Sequence, residues 1–278
     1  MADSGETSLT MSTMEMNFAI ICHGYRDGVT EYDVIVDDDV SFKTSVTRSP
    51  SKVKKWIIGI ENRNHRRLHR LIVGLDIEWR PNTERGEQNP VAILQLFVGK
   101  TCLIYQIQRA DINTILTFLK NPNYTFVGVG IENDKQKLFR DYGLEVTKVE
   151  DLREMAAYEL ADPDLKKAGL NKLAEVVLRK NADYGKRLKV RMSDWDNDRL
   201  SDAQVLYACL DAYVSFAIGR QLQSWFDYGL KSYDIIGDGL IYIYLYRGGS
   251  IRNDVNLRKR EDDSLPHFSV TVDVITED

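Results

Sequence analysis

Cysteine, histidine and proline are scarce in this chain of 278 residues, at three, four and six copies. Cys22, Cys102 and Cys209 are odd in number, far apart and form no CxxC pair. That pattern argues against a disulfide framework and a zinc site, and reads as reduced thiols in a nuclear or cytoplasmic protein. His23, His65, His69 and His267 show neither triad nor zinc spacing, which removes the commonest catalytic base from the candidates. No apolar run approaches the roughly 20 residues that span a bilayer, so no membrane partner is expected. The opening stretch MADSGETSLTMSTMEMN has no positive charge, an expectation against a secretory or organellar leader. Positive charge is also short overall. A net charge of −5 disfavours a passive nucleic-acid binder, but not an enzyme whose acids gather cations.

What is present suits an ordinary folded protein, 43% hydrophobic and 28% charged. Residues 1–16 are small, polar and Met-rich, and read as disordered. EYDVIVDDDVSF (31–42) predicts a strand or hairpin, and helical spacing after Ser51 predicts a helix over 51–62. LIVGLDIEW (71–79) reads as a strand, and VAILQLFVG turns at Gly99-Lys100 into TCLIYQI. DINTILTFLKN (111–121) predicts a helix, YTFVGVGI a buried strand, ENDKQKLFRDYG a helix closed by Gly143, and LEVTKVEDL a further strand. Helices follow in DLREMAAYEL and GLNKLAEVVLRK, then a long one over 201–226 capped by Ser201. Strands interleaved with helices and a hairpin predict an α/β fold with a mixed sheet.

Two carboxylates stand out. Asp76 and Glu78 are one residue apart in an apolar strand and share a face, about 7 Å apart along it. Two such anions repel unless something pairs with them. Asp134 falls in the first turn of a helix after another strand. Asp211 lies in LYACLDAY, one helical turn after Tyr207, on a helix that is apolar nearly all round. Taken singly, each acid has a plain explanation: a strand end, a helix-dipole partner, a boundary residue. Together they form an all-oxygen donor set, the kind Mg²⁺ or Mn²⁺ takes. Two such ions about 4 Å apart can activate water and stabilise the leaving 3′ oxygen in an in-line attack on phosphorus. Asp76 then bridges the ions, Glu78 and Asp211 serve one, Asp134 the other, and Tyr207 orients the water.

With these residues in hand, the sequence resembles the DEDDy branch of the 3′→5′ exonucleases, above all the Werner-type exonuclease domains and their stand-alone plant relatives. LDIEW matches the first motif, GVGIENDKQKL the second and LYACLDAY the third, over about residues 68–226. The resemblance implies an RNase H-like five-stranded mixed sheet flanked by helices, with extra N- and C-terminal strands. It implies Asp76, Glu78, Asp134 and Asp211 as ligands of two Mg²⁺ or Mn²⁺ ions, and Tyr207 as the water-orienting residue. The sister branch has histidine five positions before the last acid, where this chain has Leu206. Gln136 stands where the family has an aromatic residue, which bears on substrate grip.

The implied activity is hydrolysis from the 3′ end of nucleic acid, DNA favoured, releasing nucleoside 5′-monophosphates. The alternatives are an RNA-trimming 3′ exonuclease, which shares the same acids, and a non-catalytic nucleic-acid-binding or assembly module. The substrate-binding candidates are Ile77, between the two acids, and, in the basic segment 179–201, Arg191 as a phosphate contact and Trp195 as either a buried support or a stacking residue. The basic stretch Lys52–Arg70 is a second candidate face for phosphates. The expected domains are an extension over 17–67, the exonuclease domain over 68–228, and a C-terminal extension over 229–278. No helicase motif is present, so unwinding falls to a separate helicase or repair partner. The strand-like GLIYIYLY puts Tyr242, Tyr244 and Tyr246 on one face. It is expected either to pair with an N-terminal strand or to build a homo-oligomer contact.

Overall fold

The computed structural model describes residues 14–37, 40–84, 86–181, 187–228, 230–236 and 240–245. The chain begins with strands β1 (Met14–Glu15), β2 (Phe18–Arg26), β3 (Val29–Val36) and β4 (Val40–Thr47), then helix α1 (Pro50–Asn64). Strands β5 (Leu71–Trp79), β6 (Val91–Val98) and β7 (Thr101–Tyr105) lead to α2 (Asn113–Leu119), β8 (Tyr124–Gly128) and α3 (Ile131–Tyr142). After β9 (Val149–Asp151) come α4 (Leu152–Glu159), α5 (Leu170–Leu173), β10 (Lys180–Asn181), α6 (Arg187–Arg191) and the long α7 (Asp202–Tyr228). Strands β11 (Leu230–Ile236) and β12 (Leu240–Leu245) end the described chain.

An eight-stranded mixed sheet runs in the order β2-β3-β4-β7-β6-β5-β8-β9. Strands β5, β6 and β7 form an antiparallel meander, and β8 and β9 continue parallel to β5. These five strands reproduce the expected mixed α/β core. The sheet is three strands wider because the antiparallel ribbon β2-β3-β4 attaches through β4, parallel to β7.

Strand alternation sorts the core into two layers. From β5, Leu71, Val73, Leu75 and Ile77 join the apolar cluster beneath α1, α2 and α3. Ile72 joins the cluster beneath α7, and Gly74, Asp76 and Glu78 share its side of the strand by the same alternation. Every residue of β6 is buried, as a central strand covered on both faces requires.

Helix α7 lies against β5 so closely that only glycine fits beneath it. A Cβ on Gly74 would stand 2.1 Å from the carbonyl oxygen of Ala212 and 2.9 Å from Phe216. One residue before Ala212 is Asp211, and two after Gly74 is Asp76. The missing side chain therefore sets the distance between the acids of the helix and those of the strand. The start of α7 is held by a capping box: Gln204 N–H donates to Ser201 Oγ, and Ser201 N–H donates to Gln204 Oε1.

Several elements differ from expectation. Strand β2 is absent from the sequence reading because, as a mostly exposed edge strand, it carries little apolar alternation. The strand expected over LEVTKVEDL shrinks to β9, since Leu144 and Val146 are buried from a loop that Thr147 N–H ties to the Leu119 carbonyl. Residues 1–13 lie outside the described residues, whereas Met14–Glu15 pairs in parallel with Lys180–Asn181. Among the described residues, the tyrosine-bearing strand pairs with no N-terminal strand. It forms β12 and pairs antiparallel with β11, with Tyr242 opposite Asp234 and Tyr244 opposite Ser232. Tyr246 lies outside the described residues. Among those residues, no helix is long and apolar enough to cross a membrane.

The tight α7–β5 contact makes Gly74→Ala costly, because the obstacle is backbone. Overpacking typically costs 1–3 kcal/mol, and this site belongs at the top of that range, lowering Tm by roughly 6–12 °C. Gly169→Ala, with open space around its Cβ at the N-cap of the short α5, should lower Tm much less. Thermal unfolding of the two variants checks the contrast.

Candidate active site

Three carboxylates converge where α7 crosses β5. Oxygens of Asp76, Glu78 and Asp211 all lie within 4.8 Å of one another. Glu78 and Asp211 are buried, and Asp76 is the most open of the three. Asp134 stands outside that trio, on the first turn of α3, yet its negative charge reaches both Asp76 and Glu78.

The electrostatics follow from crowding. Burial, then the charges of Glu78, Asp211 and Asp134, push the Asp76 carboxyl well above its ordinary range, against a hydrogen bond donated by the Ile77 amide. Burial and Asp211 push Glu78 up to about 9, while the Arg191 guanidinium pulls it back. Burial and then the Asp151 charge push Asp134 up to about 7. A cluster that resists ionisation this strongly has a deficit of positive charge.

A hard divalent cation supplies that charge, and the residues fit one. The trio offers only oxygen donors. Two oxygens held at about 2.1 Å from one ion are at most about 4.2 Å apart, so the observed spacing closes with small side-chain movements. Gln95 faces Asp76 across the β5–β6 pair, is fully buried, and neither of its amide atoms has a protein partner. That orphaned amide opposite Asp76 makes the surroundings of the acids polar, which suits a bound cation and its ligands better than apolar packing.

Local structure explains how each acid arrives. Strand alternation turns Asp76 and Glu78 to one face. Gly130, at φ +73°, makes the left-handed turn into α3, and its N–H donates to the Asp151 carboxylate at 3.0 Å. Asp151 also caps α4 and pairs with Arg153 at 2.7 Å. Tyr207 sits one turn before Asp211, its ring 5.8 Å from that of Trp195. Gln204 donates to Ser193 Oγ and to the Asp194 carbonyl, joining the 193–195 segment to the base of α7.

The structure places two of the substrate-binding candidates inside the core, Trp195 in the buried supporting position that is one of its two expected roles. The Ile77 side chain is buried in the cluster beneath α1, α2 and α3, so only its main chain serves the site, through the amide given to Asp76. Trp195 has no exposed surface; its Nε1–H donates to the Arg191 carbonyl and its ring supports Tyr207, leaving no face for a base to stack on. Arg191 is exposed and acts on Glu78 through its charge. Gly74, Gly130, Asp151 and Gln95 are absent from the sequence reading. Gln95 had a signal, as the lone polar residue within the apolar run VAILQLFV. Gly74 had none, because its role depends on which helix lies above it.

The raised carboxyl groups have a consequence for stability. Without metal, the folded state binds more protons than the unfolded chain between ordinary carboxyl values near 4 and the raised values of about 7 and about 9. Stability in EDTA therefore falls as pH rises through that window. Asp76→Asn should raise Tm in EDTA at pH 8 and flatten the fall, and should reduce the stabilisation that Mg²⁺ or Mn²⁺ gives the wild type. Differential scanning fluorimetry across pH checks both signs.

Comparison with known proteins agrees with this geometry. The family model described as 3'-5' exonuclease matches residues 49–226. A curated 3'-5' exonuclease of Arabidopsis thaliana is 36% identical over 154 residues, 54% of this chain and 52% of that protein. The Mus musculus bifunctional 3'-5' exonuclease/ATP-dependent helicase WRN is 32% identical over 154 residues, 54% of this chain and 11% of that protein. The chain thus matches about half of the first of these relatives and a small part of the second. Among solved structures, Escherichia coli RNase D superposes with a TM-score of 0.53 at 16% identity, covering 64% of this chain and 44% of that one, a likeness of fold. With the family model spanning well over half its length and the acids gathered as described, the chain belongs to the 3′-5′ exonuclease family.

Proposed function

We propose that this exonuclease domain hydrolyses phosphodiester bonds one at a time from the 3′ end of nucleic acid, with DNA favoured, releasing nucleoside 5′-monophosphates. The observation that carries the reading is the trio Asp76, Glu78 and Asp211, within 4.8 Å of one another, with Tyr207 one helical turn from Asp211. In this reading Asp76, Glu78 and Asp211 hold one divalent ion, and Asp134 with Asp76 a second. The ions, Mg²⁺ or Mn²⁺, supply charge neutralisation and a lowered pKa for attacking water.

The chain's own groups divide the remaining work. The carboxylates fix where the reacting phosphate must sit. The Tyr207 hydroxyl orients the water, its ring held by Trp195. Arg191, whose charge is already felt at Glu78, neutralises an incoming phosphate. Separate helicase or repair proteins are the partners this reading expects.

Incubation of 5′-labelled single-stranded DNA, recessed duplex DNA and RNA with Mg²⁺, Mn²⁺ or EDTA tests the proposal. A ladder shortening from the 3′ end is expected with either metal and none with EDTA; ranking the substrates decides between DNA and RNA. Asp76→Asn should lower kcat by at least about 10³-fold. Tyr207→Phe, which loses only an orienting hydroxyl, should lower it about 10²-fold with KM little changed. Folded, metal-loaded protein that cuts none of these substrates would favour a binding role instead.

A further inference from the structure

Gln95, in the middle of β6, is fully buried, and among the described residues neither its amide oxygen nor its amide nitrogen has a hydrogen-bond partner. An unpaired amide destabilises a core, and an apolar side chain of the same length would pack there without that penalty. The fold alone therefore gives no reason for a glutamine at this position.

Register shows what the amide faces. Gln95 stands opposite Asp76 of β5 on one side and Ile104 of β7 on the other. Strand alternation puts Ile93 and Phe97 on the same face of β6. Ile93, Phe97 and Ile104 all belong to the apolar cluster beneath α7, so among these strand neighbours Asp76 alone is polar. Directly opposed side chains of an antiparallel pair have Cβ atoms about 5 Å apart. A glutamine amide and an aspartate carboxyl can close that gap by turning toward each other.

Asp76 has room for such a donor. A carboxylate offers about four acceptor positions. In the proposed function two of them face the ions and one takes the Ile77 N–H, which leaves one for Gln95. The donor must also be neutral. Lysine or arginine here would compete with the ions for the acids, and a further acid would add to their repulsion.

We propose that Gln95 is a positioning residue, whose amide N–H donates to the Asp76 carboxylate and holds it in the orientation that receives metal. The inference rests on the metal-dependent reading of the acids and extends it to a residue that does not touch substrate. A carboxylate anchored in this way loses less freedom when it binds an ion.

The test uses Gln95→Met, which keeps the length and removes the donor, with Ile93→Val as a packing control on the same face. Mn²⁺ binding is followed by electron paramagnetic resonance, and Tm is measured in EDTA. Gln95→Met should weaken Mn²⁺ binding by at least about tenfold, while its Tm in EDTA equals or exceeds that of wild type. Ile93→Val should do the reverse, lowering Tm and leaving Mn²⁺ affinity unchanged. In the nuclease assay, Gln95→Met should need about tenfold more Mg²⁺ for half-maximal rate, with KM for DNA at saturating metal unchanged. Mn²⁺ binding by Gln95→Met as tight as wild type would overturn the proposal. So would parallel losses of Tm and Mn²⁺ affinity in both variants, the mark of a packing effect. A wild type that binds no Mn²⁺ would overturn both this inference and the metal site. If wild type binds Mn²⁺ and Gln95→Met binds it weakly, yet neither cuts nucleic acid, the exonuclease reading fails and the role of Gln95 stands.

Discussion

Mutual repulsion among buried carboxylates is the constraint around which this molecule is organised. Asp76, Glu78 and Asp211 are pressed together in surroundings that penalise their charges. The Ile77 amide and the Arg191 charge offset that only in part, so the packing of the scaffold holds the acids together. The decisive contact is backbone on backbone, at Gly74, where the Ala212 carbonyl occupies the space a side chain would need. Further along α7, Gly219 presses on Val127 in the same way, with only 2.8 Å to an added Cβ. The helix is thus seated on β5 and β8 at two glycine positions. A site that costs stability is tolerable because the two large apolar clusters on either face of the sheet provide it in excess.

The surrounding charges are arranged around this deficit. Arg80 reaches Asp194 and Asp196, while Arg48 and Arg109 meet Asp198, so the 194–198 loop is pinned to the sheet end by ion pairs. Its anchors Ser193 and Asp194 bond Gln204 at the base of α7, and its Trp195 backs Tyr207. The tyrosine is therefore positioned by a continuous set of contacts from the basic segment to the helix. These exposed ion pairs add little stability individually; their effect is to define where one loop sits relative to the acids.

Much of this was legible in the sequence because it depends on local periodicity. The alternation of LIVGLDIEW turned Asp76 and Glu78 to one face, the four-residue spacing joined Tyr207 to Asp211, and Ser201 announced the start of α7. What was hidden depends on non-local packing. Gly74 is an ordinary strand glycine until the helix above it is known. Trp195 sits in a basic loop, where exposure and burial look alike in sequence, and only its buried position rules out base stacking. Strand β2 escaped because an exposed edge has no core face to imprint a pattern. The partner of β12 escaped because strand pairing is decided by turn placement, and β11 lies immediately before it.

The central claim is that the crowded acids are a metal site completed by the seating of α7. The most direct measurement is titration of the protein with Mn²⁺, following free aquated ion by electron paramagnetic resonance. Two ions bound per wild-type chain, with binding lost in Asp76→Asn and weakened in Gly74→Ala while both variants remain folded, is the predicted result. Free Mn²⁺ rising in proportion to what is added, as if no protein were present, would contradict the account.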